Sequence, residues 1–152
     1  MVSGMTQTAA PAVTVLTDAQ SWDLLSSVKL GRLGTSLGGQ PEIFPVNFTT
    51  DRSSILFRTA EGTKLLGAVM NNRVAFEADE HTSAGGWSVV VKGTAHVLSS
   101  QADLEAAEAD SLRPWVPTVK QRYVRITVDH ISGRRFLFGA EPEPGISTYS
   151  TD

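Results

Sequence analysis

Cysteine is absent from this chain, which excludes disulfides, thiol catalysis and cysteine-ligated metals together. Histidine is scarce. His81, His96 and His130 lie far apart without paired metal spacing, so each reads as a surface or strand-face residue. Positive charge is outweighed, with 13 Lys and Arg against 16 Asp and Glu. A nucleic-acid partner needs clustered cations for its phosphates, so that class is set aside. No apolar run is long enough to span a bilayer. The N-terminus lacks a basic start followed by an apolar core, so no signal peptide is expected and the localisation expected is cytoplasmic. Neither an internal repeat nor a second compositional regime is found in the 152 residues, which suit one domain.

What the chain does have is concentrated in one connection. Pro45-Val46-Asn47-Phe48 lies in one strand-like segment, and Ile55-Leu56-Phe57-Arg58-Thr59 forms the next. A helix follows at once from Thr63-Lys64-Leu65-Leu66. The strand-to-helix corner therefore holds Arg58, Thr59, Thr63 and Lys64. A helix start with free N–H groups attracts phosphate, arginine adds a two-pronged fork, and lysine adds a point charge. On local pattern alone, the corner is either a phosphate seat or a solvated turn with ordinary surface cations.

Around this corner the chain reads as about six strands with two or three short helices. Residues 1–15 are small, polar and Pro-containing, and predict a disordered arm. Thr17-Asp18-Ala19-Gln20 is a capping-box pattern, and Trp22, Leu25 and Val28 recur at helical spacing up to about Lys29-Leu30-Gly31. Strands are expected at Arg32–Ser36, Glu42–Thr50 and Ile55–Thr59, with Gly38-Gly39 as a hairpin turn. Pro45 donates no ladder bond and so marks a bulge or an unpaired site. After a Thr63–Asn71 helix, further strands are expected at Arg73–Asp79, Trp87–Leu98 and Tyr123–Ile131. A helix from Ser100 to about Leu112 and a loop around Pro114-Trp115-Pro117 separate the last two. The main domain spans 16–139, and 140–152 reads as a flexible acidic tail. The class is α+β, most simply a closed antiparallel barrel.

Several patterns imitate chemistry. Gly34-Thr35-Ser36-Leu37-Gly38 has the form of a hydrolase nucleophile elbow, but Gly39-Gln40-Pro41 blocks the helix that an elbow requires. Ser26-Ser27-Val28-Lys29 matches a penicillin-recognising signature without its partner motifs. Glu105, Glu108 and Asp110 are most simply a solvated helix face. No carboxylate pair for hydrolysis can be named.

The order of elements resembles the flavin-binding split-barrel superfamily related to pyridoxamine 5′-phosphate oxidase, in its short actinobacterial and nitroimidazole-reductase-like branch. The likeness is carried by Gly31-Arg32-Leu33-Gly34, Gln40 through Phe48, Phe57-Arg58-Thr59 through Thr63-Lys64-Leu65, Asn72 through Glu77, and Gly86 through Ala95. It covers about Leu16 to Phe138. It implies a mostly antiparallel six-stranded split β-barrel and a homodimer, with FMN at the subunit interface. Carried over by position, Arg58, Thr63 and Lys64 would hold the cofactor phosphate, with Thr59 close by. Pro45, Val46, Asn47 and Phe48 would line the isoalloxazine ring. Trp87 and Ser88 would approach it from a neighbouring strand or the partner subunit, unless Trp87 is simply a core aromatic.

The departures narrow the expectation. Gly133-Arg134-Arg135-Phe136 followed by an acidic tail replaces the C-terminal basic segment of true pyridoxamine-phosphate oxidases, so vitamin oxidation is not expected. The histidine found near this site in the nitroimidazole branch is missing. Relatives that use a deazaflavin need a basic groove for its polyglutamate tail, with Arg32, Arg52 and Lys92 as candidates. The reading is thus an oxidoreductase moving electrons or hydride between FMN and a small organic substrate. Its alternatives are a deazaflavin-dependent reductase and a non-catalytic flavin-binding or storage protein.

Overall fold

The computed structural model describes residues 11–70, 72–99, 101–109 and 121–139. Its elements run β1 (Val13–Leu16), α1 (Asp18–Ser26), β2 (Leu30–Leu37), β3 (Gln40–Thr50), β4 (Ser54–Ala60), α2 (Lys64–Val69), β5 (Arg73–His81), β6 (Gly85–Val97), α3 (Gln101–Ala109) and β7 (Gln121–Leu137). The expectations for residues 1–10, the Ser100 and Leu112 helix ends, the Trp115 loop and the tail lie outside the described residues. Among those described, no helix is long and apolar enough to cross a membrane.

Local chemistry explains most boundaries. The Thr17 hydroxyl accepts the Gln20 N–H at 3.1 Å while Gln20 Oε1 accepts the Thr17 N–H at 2.9 Å, completing the capping box of α1. The helix stops at Ser26, short of Gly31. The Ser26 and Ser27 hydroxyls donate to the Trp22 and Leu24 carbonyls, which competes with continued helical bonding. Leu30 then opens β2. Gly38 and Gly39 take φ of 59° and 81° between the paired Leu37 and Gln40, which is the two-residue hairpin expected.

Six strands form a ring in the order β7, β4, β3, β2, β5, β6, and β6 pairs back onto β7. Every pairing is antiparallel. With three short helices this is the split-barrel, α+β architecture. The seventh strand, β1, lies outside the ring, paired from Val13↔Phe136 to Leu16↔Gly133. Its residues 13–15 had read as part of the arm. β7 runs past the expected Ile131 end because Gly133 leaves room for α1. A Cβ there would stand 2.4 Å from Ser21 Oγ.

The ring is filled by Leu33, Phe48, Phe57, Phe76, Val91 and Ile126, all buried. Phe48 and Phe76 meet edge to face, 4.7 Å between centroids. Trp22 and Leu25 of α1, and Leu65 and Val69 of α2, join this core.

One ladder is incomplete. β3 and β4 pair only from Phe48↔Phe57 to Thr50↔Ile55. Upstream of Phe48, β3 continues with β2 alone, from Asn47↔Leu30 to Gln40↔Leu37. β4 meanwhile continues with β7 as far as Ala60↔Gln121. Pro45, which has no N–H to donate, sits on the stretch that β4 leaves unpaired.

Candidate functional site

Where β3 and β4 part, the barrel wall opens, with Pro45 and Asn47 on one side and Arg58 and Thr59 on the other. Strand alternation sends Val46 and Phe48 inward, 7% and 2% exposed, while Pro45 is exposed and Asn47 half-buried. Val46 and Phe48 thus spend their side chains on the core and leave only backbone for a ligand.

Arg58 points to the outer face of β4. Its Nη1 donates to the Tyr123 hydroxyl at 3.4 Å, and its guanidinium carbon lies 5.6 Å from the Tyr123 ring centroid. Arg58 Nη2 is buried and has no hydrogen-bond partner among the described residues. No carboxylate pairs with Arg58 among the described residues. A buried guanidinium N–H left unmet costs about 1–3 kcal/mol or more, so the group is set to receive an anion.

The two threonines are tied into the corner. Thr63 caps α2: its hydroxyl accepts the Leu66 N–H at 3.2 Å and donates to the Ala60 carbonyl at 2.9 Å. With its proton so committed, it accepts from the Thr59 hydroxyl at 3.0 Å. Both hydroxyl protons are engaged inside the corner. Thr59 and Thr63 therefore shape the seat and offer no free hydroxyl donor to a phosphate.

Lys64 is exposed and bonds Glu42 Oε1 of β3 at 2.5 Å, tying α2 to the strand across the opening. An ion pair this exposed contributes about 0–1 kcal/mol, so an entering phosphate can share or redirect the ammonium. Sequence reasoning missed two neighbours. Register places Arg122 opposite Thr59 and Tyr123 opposite Arg58, and Arg122 Nη2 bonds Glu61 Oε1 at 3.0 Å. The only sequence signal was a polar run ahead of the last strand.

Trp87 and Ser88 do not join this cluster within one chain. Trp87 pairs with Arg135, whereas Arg58 pairs with Tyr123. Those partners are twelve positions apart along β7, roughly 40 Å of extended strand. Trp87 is a core residue, 6% exposed, whose edge lines a separate cavity of about 390 Å³ with Leu24, Arg135 and Phe136. The candidate basic groove also disperses. Arg32 bonds Glu77 and Asp79, each at 3.1 Å, and Arg52 pairs with Asp23. Lys92 shares the outer sheet with Arg32, but Arg52 sits in the β3–β4 turn near α1. Ser36 is an exposed β2 residue ahead of the hairpin, with no elbow around it.

Residues 17–135 match the pyridoxamine 5′-phosphate oxidase family. An FAD binding protein from Mycobacterium smegmatis is 48% identical and superposes with a TM-score of 0.78, over 83% of this chain and 100% of that one. A conserved protein of unknown function from Corynebacterium diphtheriae is 38% identical with a TM-score of 0.73, over 83% and 99% of the two chains. An uncharacterised Mycobacterium tuberculosis protein is 51% identical over 90 residues, which is 59% of this chain and 82% of that one.

Proposed function

The chain belongs to the pyridoxamine 5′-phosphate oxidase family, and we propose that it binds a flavin in the β3–β4 opening and serves electron or hydride transfer to a small organic molecule. The observation that carries this reading is the buried Arg58 Nη2, without a partner among the described residues, on the strand that borders the opening. It is the donor that a flavin phosphate needs, and the residues present fit that group. Arg58 would hold the phosphate, Lys64 would add charge from the solvent side, and Thr59 and Thr63 would keep the corner in shape. Pro45 and Asn47 would flank the ring, with apolar contact from one and an amide for its polar edge from the other. The flavin supplies the redox chemistry when bound, and the protein positions it and limits water access.

FMN and FAD share the phosphate that this corner suits. The Mycobacterium smegmatis relative is an FAD binding protein, which supports FAD as the working form and leaves FMN as the shorter ligand of the same seat. A deazaflavin is less well supported, because Arg32 and Arg52 are already held by carboxylates. A second copy of the chain would cover the opening and bring its own Trp87 and Ser88 to the ring.

The test is titration of the apo-protein with riboflavin, FMN and FAD. Arg58→Ala should weaken FMN and FAD binding about tenfold or more while leaving riboflavin nearly unchanged, since one charge-assisted contact contributes about 1.5–3 kcal/mol. Lys64→Ala should act in the same direction but less, given its exposure. Equal losses for all three ligands would remove the phosphate from this corner.

A further inference from the structure

Arg32, Arg52, Arg73, Arg122 and Arg125 each hold a carboxylate. Arg135 holds none among the described residues, although Glu80 stands in the same cross-strand row. Register sets Glu80 opposite Trp87 and Trp87 opposite Arg135. The middle strand and its indole therefore separate the two charges by two strand spacings, about 10 Å. All three residues line the cavity of about 390 Å³ beside the end of α1, with Leu24 and Phe136 as further apolar walls. Gly85 lines it without a side chain, and a Cβ there would stand 2.3 Å from the Phe136 carbonyl oxygen. No residue of the β3–β4 opening takes part in this lining.

We propose that this cavity is a second ligand site, separate from the flavin opening, and that it takes a small aromatic carboxylate with a hydrogen-bond donor at its far end. Each part of that description answers a residue. Arg135 offers its fork to a carboxylate and has no internal partner to give up. Leu24 and Phe136 offer apolar contact, and the edge of the Trp87 indole suits the face of a second ring. Glu80 accepts a proton from a hydroxyl or amino group at the other end. The spacing of the two charges suits one benzene ring substituted at opposite ends. Their opposite signs also fix the orientation, because a carboxylate turned toward Glu80 meets like charge. The same repulsion disfavours a ligand with an acid at both ends.

The experiment is calorimetric titration of the full-length protein with para-hydroxybenzoate, para-hydroxybenzyl alcohol and terephthalate. The wild-type protein should bind para-hydroxybenzoate best, with the uncharged alcohol and the diacid each weaker by about tenfold. Arg135→Gln should weaken para-hydroxybenzoate by about tenfold and leave the alcohol unchanged, and Arg135→Lys should recover part of that loss. Glu80→Gln should strengthen terephthalate without strengthening para-hydroxybenzoate. No binding of para-hydroxybenzoate at about 1 mM, equal affinity for all three ligands, or binding that Arg135→Gln leaves unchanged would each overturn the proposal. Glu80 and Arg135 are both exposed, so the variants should melt with the wild-type protein. The ranking of the three ligands on the wild-type protein tests the site even where a variant folds poorly.

Discussion

Arg32 holds two carboxylates at once, and the one nearer the sheet centre shows the strain of that arrangement. Burial and then the adjacent Asp79 push the Glu77 carboxyl up, Arg32 offsets only part of the rise, and the group ends at about 7. The folded protein thus holds this proton more tightly than the unfolded chain, whose Glu77 releases it near the ordinary 4.5. Between those values the unfolded state binds fewer protons, so stability falls as pH rises from about 4.5 to 7 and the contribution is gone above that. Asp51 works in the opposite sense and in another window. Burial would raise it, but N–H and hydroxyl donors of Ser53 and Ser54 hold it below 3.8, so its contribution is lost only in stronger acid. Glu77→Gln mimics the protonated acid. Melting curves from pH 5 to 8 should show the wild-type protein losing stability relative to this variant as pH rises. A constant difference across that range would show that Glu77 does not titrate there.

At the scale of elements, the close approach of β2 to β5 depends on a residue with no side chain. A Cβ on Gly31 would stand 2.2 Å from Phe76 Cζ and 3.0 Å from the Glu77 carbonyl. Phe76 is 1% exposed and packed on Phe48, so it has no room to withdraw. Gly31→Ala should cost about 1–3 kcal/mol by overpacking, read as a lower urea midpoint with an unchanged slope. Adding Phe76→Leu should return part of that loss, a non-additivity expected of groups in contact. The same contact orients Phe48 inward and so leaves Pro45 and Asn47 as the outward side chains of the opening. Helix α2 contributes differently. At six residues, it matters less for its dipole than for the Thr63 cap and for Lys64 reaching Glu42.

For the whole molecule, the outer face of β3, β2, β5 and β6 is the surface a second copy would cover. Register lines up Ile43 with Gly34 and Ala75, and Pro45 with Arg32 and Glu77 and then Val90. Ile43 is 74% exposed, and Leu30 and Val90 are exposed beside it. Apolar area grouped in this way marks an interaction surface, and a two-fold arrangement lets one patch serve both copies. Light scattering at micromolar concentration should give a dimer, and Ile43→Glu should shift it toward monomer and weaken flavin binding together. A wild-type monomer that binds flavin at full strength would sink this arrangement.

Features carried within a few neighbouring residues were legible from the sequence. The Thr17 cap, the Gly38-Gly39 turn, the alternation of Val74, Phe76 and Ala78, and the Thr63 start of α2 all depend on short-range geometry that side-chain chemistry dictates directly. What the tertiary structure decided concerns partners distant in the chain. Pairing of β6 with a long β7 closed the ring, and a β3–β4 ladder ending at Phe48↔Phe57 made the opening. Register brought Arg122 to Thr59 and carried Trp87 to the far end of β7. The Thr59 hydroxyl donates to Thr63, and the Thr63 hydroxyl to the Ala60 carbonyl, once the corner closes. Alternation within a strand shows that two faces exist, but only packing against other strands decides which face is the core. One residue of register exchanges those faces, so the sequence shows the alternation and the pairing of distant strands decides which side chains turn outward.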